Sequence, residues 1–231
     1  MRLPRPLHEG ILLRRYRRFL ADVELADGTA VTAHIADPGR LPGLAVPGAR
    51  VFLSHDPAPH RRLAWTVRLI LQDGRPVAVD SRNPNRLVRE GLEAGRLAVG
   101  AVRRVRPEPR AGAGTRLDFL VERADGDPLW IEVKGVTWHR GGGLAAFPDA
   151  PTARGRRHLE VLTDLAARGA ATLLLFVAQR GDVDRFTAAA DVDPDYAAAL
   201  ARARAAGVQV EAWCCHVNFR EIILDRTIPV V

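Results

Sequence analysis

A chain of 231 residues with 47% hydrophobic composition can bury one large core or two modest ones without disulfides or a structural metal. Its two cysteines, Cys214 and Cys215, are neighbours on a strand-like segment whose side chains alternate between faces, which suits neither a disulfide nor a zinc site and points to a reducing compartment. No apolar run approaches the ~18 residues of a membrane-spanning helix, and Met1-Arg2-Leu3-Pro4-Arg5-Pro6 has no apolar signal core, so a cytoplasmic location without a membrane partner is expected. The formal net charge of +7 and pI near 10.7 favour a polyanionic partner, because clustered arginines release counterions from a phosphate backbone. Charge alone does not separate DNA, RNA and acidic membrane.

In chain order, residues 10–80 read as short alternating segments, at 11–25, 29–35, 50–54, 65–71 and 77–79, with Asp27-Gly28 and Asp73-Gly74 supplying hairpin turns. This predicts a small antiparallel β unit that closes as a barrel. Leu87, Val88, Gly91 and Leu92 then take helical spacing across 85–94, ending at Gly95. Residues 103–114 read as a loop or edge segment. Beyond them strands at 117–122, 129–136, 171–178 and 208–216 alternate with helices at 151–168 and 194–206, each helix opening on proline and followed by glycine. The alternation predicts an α/β layered sheet, and the change of pattern divides the chain into a β domain at 1–82 and an α/β domain at 83–231.

The chemistry gathers in the hairpin 118–134. Glu132 and Lys134 share a face because strand side chains alternate. A two-residue loop at Asp125-Gly126 would oppose Asp118 to Val133, on the wrong face. A five-residue loop at 124–128, favoured because Pro128 cannot donate to the ladder, pairs Asp118 with Lys134 and sets Glu132 diagonally across. Two carboxylates beside an ammonium suit phosphodiester hydrolysis, since carboxylates hold a hard divalent ion that polarises the phosphoryl oxygen and activates water. The competing reading is a solvated Glu-Lys face. Against it stands composition: of 34 Lys and Arg residues, Lys134 is the sole lysine and 33 are arginine. A lysine kept amid such bias suggests a position where a planar guanidinium will not serve.

Arg116-Leu117-Asp118-Phe119 followed by Ile131-Glu132-Val133-Lys134-Gly135-Val136-Thr137 resembles the PD-(D/E)xK nuclease core. With Arg15-Tyr16-Arg17-Arg18-Phe19-Leu20-Ala21-Asp22-Val23, His34-Ile35-Ala36-Asp37-Pro38-Gly39-Arg40-Leu41 and Phe147-Pro148-Asp149-Ala150-Pro151-Thr152-Ala153-Arg154-Gly155-Arg156-Arg157-His158-Leu159, it more closely resembles the sugar fermentation stimulation protein A (SfsA) family. The proline of the core name is missing, since Leu117 precedes Asp118. The resemblance implies an OB-like N-terminal β-barrel, a C-terminal α/β domain with a nuclease-like mixed sheet flanked by helices, DNA binding and a Mg²⁺-dependent nuclease, with Mn²⁺ as a substitute ion. It implies Asp118, Glu132 and Lys134 as catalytic residues and Asp118 and Glu132 as metal ligands, with Glu90 completing the metal site from its helix. Glu108 is a further carboxylate within reach.

For nucleic acid, Arg15, Tyr16, Arg17 and Arg18, flanked by Arg14 and Phe19, mix guanidinium groups with aromatics as an OB-type strand does; alternation allows no more than one set to face DNA, and a half-buried barrel strand is the competing reading. Arg154, Arg157 and His158 cluster with Thr152 and Arg156 at a helix N-terminus able to hold phosphate. His34, Asp37 and Arg40 surround an Asp-Pro-Gly turn, where Asp37 is expected to cap amides and Arg40 to touch nucleic acid. The leading reading is a DNA-binding, metal-dependent nuclease. The rivals are a non-catalytic DNA-binding regulator of sugar (maltose) metabolism and an RNA-processing enzyme, and the sequence leaves a homodimer open.

Overall fold

The computed structural model of the chain describes residues 1–58, 62–112, 114–124 and 126–231. Alternating apolar residues build the N-terminal unit from β1 (Leu7–Tyr16), β2 (Leu20–Leu25), β3 (Ala30–Ile35), β4 (Arg50–His55), β5 (Trp65–Gln72) and β6 (Arg75–Ala78). β1 pairs antiparallel with β2 and β4, β2 with β3, and β4 with β5. A parallel pairing of β3 with β5, Ala33 opposite Trp65 and Ile35 opposite Val67, closes five strands into an OB barrel around Leu12, Val23, Ile35, Leu53, Val67 and Ile70. Closure leaves the barrel strands paired on both sides. Gly10 is required where β1 meets β2, because a Cβ there would lie 2.6 Å from Val23 Cγ1 and 2.7 Å from the Glu24 carbonyl oxygen.

The stretch expected as one segment at 11–25 is two strands. Arg17 (φ 48°) and Arg18 (φ 65°) form a tight turn between them. Left-handed backbone in a hairpin normally selects Gly or Asn, so the sequence carried no turn signal. The Arg15 guanidinium stabilises the turn by donating to the Arg18 carbonyl from Nε at 2.9 Å and Nη2 at 2.7 Å.

From β6 the chain passes into α1 (Asn83–Glu93), then β7 (Val102–Pro107), β8 (Phe119–Arg123), β9 (Leu129–Val136), β10 (Trp138–His139), β11 (Leu144–Phe147), α2 (Ala153–Ala167), β12 (Ala171–Ala178), β13 (Arg185–Ala188), α3 (Pro194–Ala205), β14 (Gln209–Val217) and β15 (Ile222–Ile228). The main sheet has the order β15-β14-β12-β9-β8-β7. Its centre, β14, β12 and β9, is parallel, which explains why residues 172–178 are buried on both faces and read as an unbroken apolar run. The segment 103–114 contributes the edge strand β7. The short β10, β11 and β13 form a second sheet, and neither it nor β15 was foreseen.

One face of the main sheet, with Ile131, Val133, Leu173 and Leu175, packs on Leu87, Val88 and Leu92 of α1 and on Phe52, Leu69 and Ala78 of the barrel. The other face, with Leu174 and Phe176, covers Leu159 and Leu162 of α2 and Tyr196 and Leu200 of α3. The barrel and the sheet therefore share one core. The first residues leave the barrel: the Met1 ammonium and the Leu3 amide donate to the Ile222 and Arg220 carbonyls, each at 2.8 Å. Arg180, fully buried, locks the junction by donating to Gln72 Oε1 and the Thr137 carbonyl, both at 2.9 Å, and to both oxygens of Asp182 at 2.6 and 2.7 Å. No helix among the described residues is long and apolar enough to cross a membrane.

Candidate active site and interdomain cleft

β8 pairs with β9 as Phe119 opposite Ile131 and Val121 opposite Leu129. Continuing that ladder sets Asp118, one residue before β8, across from Glu132, so the expected pairing of Asp118 with Lys134 is corrected by two residues. The connection is longer than expected: the β8–β9 ladder ends with Val121 opposite Leu129, while Glu122 and Arg123 pair only with β7, on the other edge of β8. A two-residue shift preserves parity, so Asp118, Glu132 and Lys134 still share a face. Asp125, part of the two-residue turn considered for this hairpin, lies outside the described residues.

Asp118 is held by two donors, Asn85 Nδ2 to Oδ1 at 2.6 Å and the Val133 amide to Oδ2 at 2.7 Å. Burial, reinforced by the charge of Glu132, outweighs these donors and pushes its pKa up to about 6. Glu132 is 2% exposed. Burial opposes its ionisation too, but His158 and Lys134 overcome it and hold the carboxyl below the usual range. Both partners act on one oxygen, Oε1, through Lys134 Nζ and His158 Nδ1; the buried Oε2 has no hydrogen-bond partner among the described residues. A buried carboxylate oxygen without a donor is costly.

His158 arrives from α2, whose N-cap Thr152 accepts the Gly155 amide at 3.0 Å. It is 7% exposed and lies 3.5 Å from Lys134 Nζ and 3.5 Å from Arg154 Nε. The structure thus draws His158 away from a surface phosphate and into the carboxylate cluster, because position 158 falls on the buried face of α2. Asn85, read only as a helix-start residue, joins the cluster from the first turn of α1. Its signal was a polar residue beside the buried Pro84.

Other expected residues lie elsewhere. Glu90 does not approach the cluster: its helix turns it outward, half-exposed, against the Met1 ammonium at 2.7 Å, and Asn85 occupies the face toward Asp118. Glu108 is exposed and pairs with Arg116 at 3.1 Å. Arg15 is committed to main-chain carbonyls of Arg18, Asp37, Gly39 and Arg40, and Tyr16 donates to Asp22 at 3.1 Å. Asp37 accepts the Gly39 amide at 2.8 Å, capping its turn. Arg17, Arg18, Arg40, Arg154 and Arg157 are exposed, and none has a carboxylate partner among the described residues.

Between barrel and sheet lies a cleft of about 1010 Å³. Its barrel wall carries Arg17, Arg18 and Arg40, and its opposite wall Trp138, Arg154 and Gln179. Asn85, Asp118, Glu132, Lys134 and His158 do not line it, but Gly135 and Val136, which follow Lys134 on β9, do. The walls touch where Asp149 Oδ2 accepts the Leu41 amide at 3.1 Å. The cleft opens at the carboxyl ends of parallel β9 and β12, where open α/β sheets bind ligands.

Fold and site define a protein in which an OB barrel is joined to a mixed sheet carrying an Asp, a Glu-x-Lys pair and a buried histidine. The chain belongs to the sugar fermentation stimulation protein family: the SfsA N-terminal OB domain matches residues 13–79, and the sugar fermentation stimulation protein RE domain matches residues 82–221. Sugar fermentation stimulation protein homologs of Methylobacterium nodulans and Geobacter sulfurreducens are 47% and 45% identical to it, each alignment covering 100% of this chain and 99% of the relative. SfsA of Pyrococcus furiosus, solved in complex with Ca²⁺, superposes with a TM-score of 0.90 at 28% identity, covering 100% of this chain and 98% of that one.

Proposed function

We propose that the chain is a divalent-metal-dependent nuclease that binds DNA and hydrolyses its phosphodiester bonds, with Asp118 and Glu132 as metal ligands and Lys134 as the charged group at the reacting phosphate. The observation that carries this reading is the orphaned Glu132 Oε2 beside an Asp118 whose ionisation is resisted by burial and by Glu132 itself. A cation shared by both carboxylates would relieve both costs. No group of three or more His, Cys, Asp or Glu side chains among the described residues converges as a metal site. Two carboxylates nevertheless suit Mg²⁺ or Mn²⁺, because Mg²⁺ keeps several waters and is usually bound through one or two carboxylates plus substrate phosphate. That a P. furiosus relative was solved with Ca²⁺, another oxygen-seeking cation, supports the assignment.

When bound, such an ion supplies Lewis acidity toward the phosphoryl oxygen and lowers the pKa of water. The protein's residues supply position. Asn85 and the Val133 amide fix the Asp118 carboxylate, while His158 fixes the rotamer of Glu132 through Oε1 and leaves Oε2 open. Lys134, 12% exposed and tethered to Glu132, presents an ammonium to an incoming phosphate or the attacking water, where it offsets developing negative charge. Exposed Arg17, Arg18, Arg40, Arg154 and Arg157 hold the phosphate backbone.

The test is cleavage of labelled single- and double-stranded DNA with EDTA, Mg²⁺ or Mn²⁺, comparing the native protein with Lys134→Ala. Metal-dependent cutting lost in the variant while DNA binding persists is the expected result. Binding without cutting by either protein would overturn the nuclease reading and favour a non-catalytic DNA-binding protein.

A further inference from the structure

The interdomain cleft has a shape and a chemistry of its own. Its volume of about 1010 Å³ is at the upper end of the roughly 300–1,000 Å³ of small-molecule sites, which is room for a few nucleotides. The Leu41 to Asp149 bond and the Arg180 to Gln72 bond tie its two walls together. A duplex carries its phosphates outside two paired strands and turns its base edges inward, so it cannot present a base at the bottom of such a cleft. A single strand can.

Two features point to what the cleft holds. Gln179, at the end of β12, is 1% exposed and lines the cleft, and its Oε1 has no hydrogen-bond partner among the described residues. An acceptor buried in this way is open to an N–H donor, and exocyclic amines and ring N–H groups of nucleobases are donors of that kind. Trp138 lies on the same wall; the Arg140 guanidinium sits 4.7 Å over its ring, so a base can stack only on the other face.

The second feature is the turn at the rim. Arg17 and Arg18 both occupy left-handed backbone, where glycine would be cheaper. Strain of this kind persists where function needs the side chain, and here it places at the mouth two guanidinium groups that have no carboxylate partner among the described residues. Arg40 shares the barrel wall with them, and Arg154 lies on the opposite wall. The cleft also holds Asp37 and Asp149, which accept the Gly39 and Leu41 amides, and its arginines outnumber them.

We propose that this cleft binds a single strand of nucleic acid, its phosphates on Arg17, Arg18, Arg40 and Arg154 and a base between Trp138 and Gln179, with the backbone leading past Gly135 to Lys134. The proposal rests on the nuclease reading only for the fate of the strand after binding.

The experiment is fluorescence anisotropy on the full chain in EDTA, where no metal-dependent cutting interferes. The probes are a labelled DNA strand of about 12 nucleotides, within the roughly 4–16 that an OB fold spans, an RNA strand of the same sequence, and the DNA duplex. At least one strand is expected to bind about tenfold or more tightly than the duplex, given stacking of ~1–3 kcal/mol per base, and the tighter of DNA and RNA identifies the sugar the cleft takes. The double variant Arg17→Gly/Arg18→Gly relaxes the turn, so its melting temperature is expected to hold or rise. Its affinity for the strand is expected to drop about tenfold or more, and the slope of log K against log salt to fall by about 1.4, for two phosphate contacts at about 0.7 each. Equal affinity for strand and duplex, or a folded variant with wild-type affinity and slope, overturns the proposal. The two readings separate cleanly: a duplex cut in a Lys134-dependent way with no preference for a single strand sinks this proposal alone, whereas a strand held by Arg17 and Arg18 but never cut sinks the nuclease reading alone.

Discussion

The Val133 amide donates to Asp118 Oδ2 at 2.7 Å, and this bond carries the aspartate across the hairpin so that it sits against β9 between Glu132 and Lys134. Asn85 supplies the second donor, at 2.6 Å from Oδ1. Of these two donors, the side chain is the one that truncation to alanine removes.

Asn85→Ala is therefore the sharpest probe of how the site is held. It removes the one side-chain donor to Asp118 from a half-buried position, with an expected stability loss of only about 1 kcal/mol. Metal affinity is expected to fall about 10–100-fold, the usual effect of removing a group that orients a ligand. Mn²⁺ titration calorimetry checks this, and an unchanged affinity would mean that Asp118 needs no support from α1.

Gly135→Ala tests the spacing between β9 and α1. A Cβ at Gly135 would sit 2.9 Å from Pro84 Cγ, and the proline ring cannot swing aside as a flexible chain could. The first turn of α1 must shift, taking Asn85 with it. We expect a loss of about 1–3 kcal/mol from overpacking in urea unfolding, with activity reduced. Adding Pro84→Ala should restore most of both; a double variant as impaired as the single would refute the steric account.

Arg180→Leu tests the junction of the two domains. Removing the guanidinium leaves Gln72 Oε1, the Thr137 carbonyl and Asp182 without their donors. The expected cost is about 3–5 kcal/mol, read by denaturant unfolding. Arg180→Lys should recover little, because one ammonium cannot span three partners that a planar fork reaches at once. Full recovery by lysine would show that charge alone suffices.

Asp37 predicts a pH dependence. Burial lifts its pKa above the ordinary 3.8, against the Gly39 amide and Arg15 and with help from Asp149 and Asp80. The folded state therefore holds the proton more tightly than the unfolded chain, and stability declines as pH rises from the unfolded pKa through the raised folded value. Asp37→Asn keeps an acceptor for the Gly39 amide and removes the buried charge. Its melting temperature should exceed the native one at pH 7, and the difference should close as pH falls below about 4. Calorimetry across pH decides it; a variant less stable at neutral pH would show that the charge is stabilising through Arg15.

The alternation of residues 129–136 is enough to put Glu132 and Lys134 on one face, and the single lysine among 34 basic residues marks that face as unusual. Alternating segments and Asp-Gly turns likewise foretell a closed β unit, and the proline-led helices after it an α/β sheet. Those features are legible because the period of a strand or helix belongs to the local backbone. The register that opposes Asp118 to Glu132 belongs instead to where the β8–β9 ladder ends, Val121 opposite Leu129, which the spacing of the hairpin does not fix. The Arg17-Arg18 turn has no turn residue to announce it. Asn85, His158 and Arg180 come from segments distant in sequence, and Glu90 faces away through the rotation of a helix whose direction is set by packing on the sheet. Local spacing determines which side chains share a surface; which surfaces meet is decided by burial of the shared core, and only that meeting converts an Asp and a Glu-x-Lys into a site.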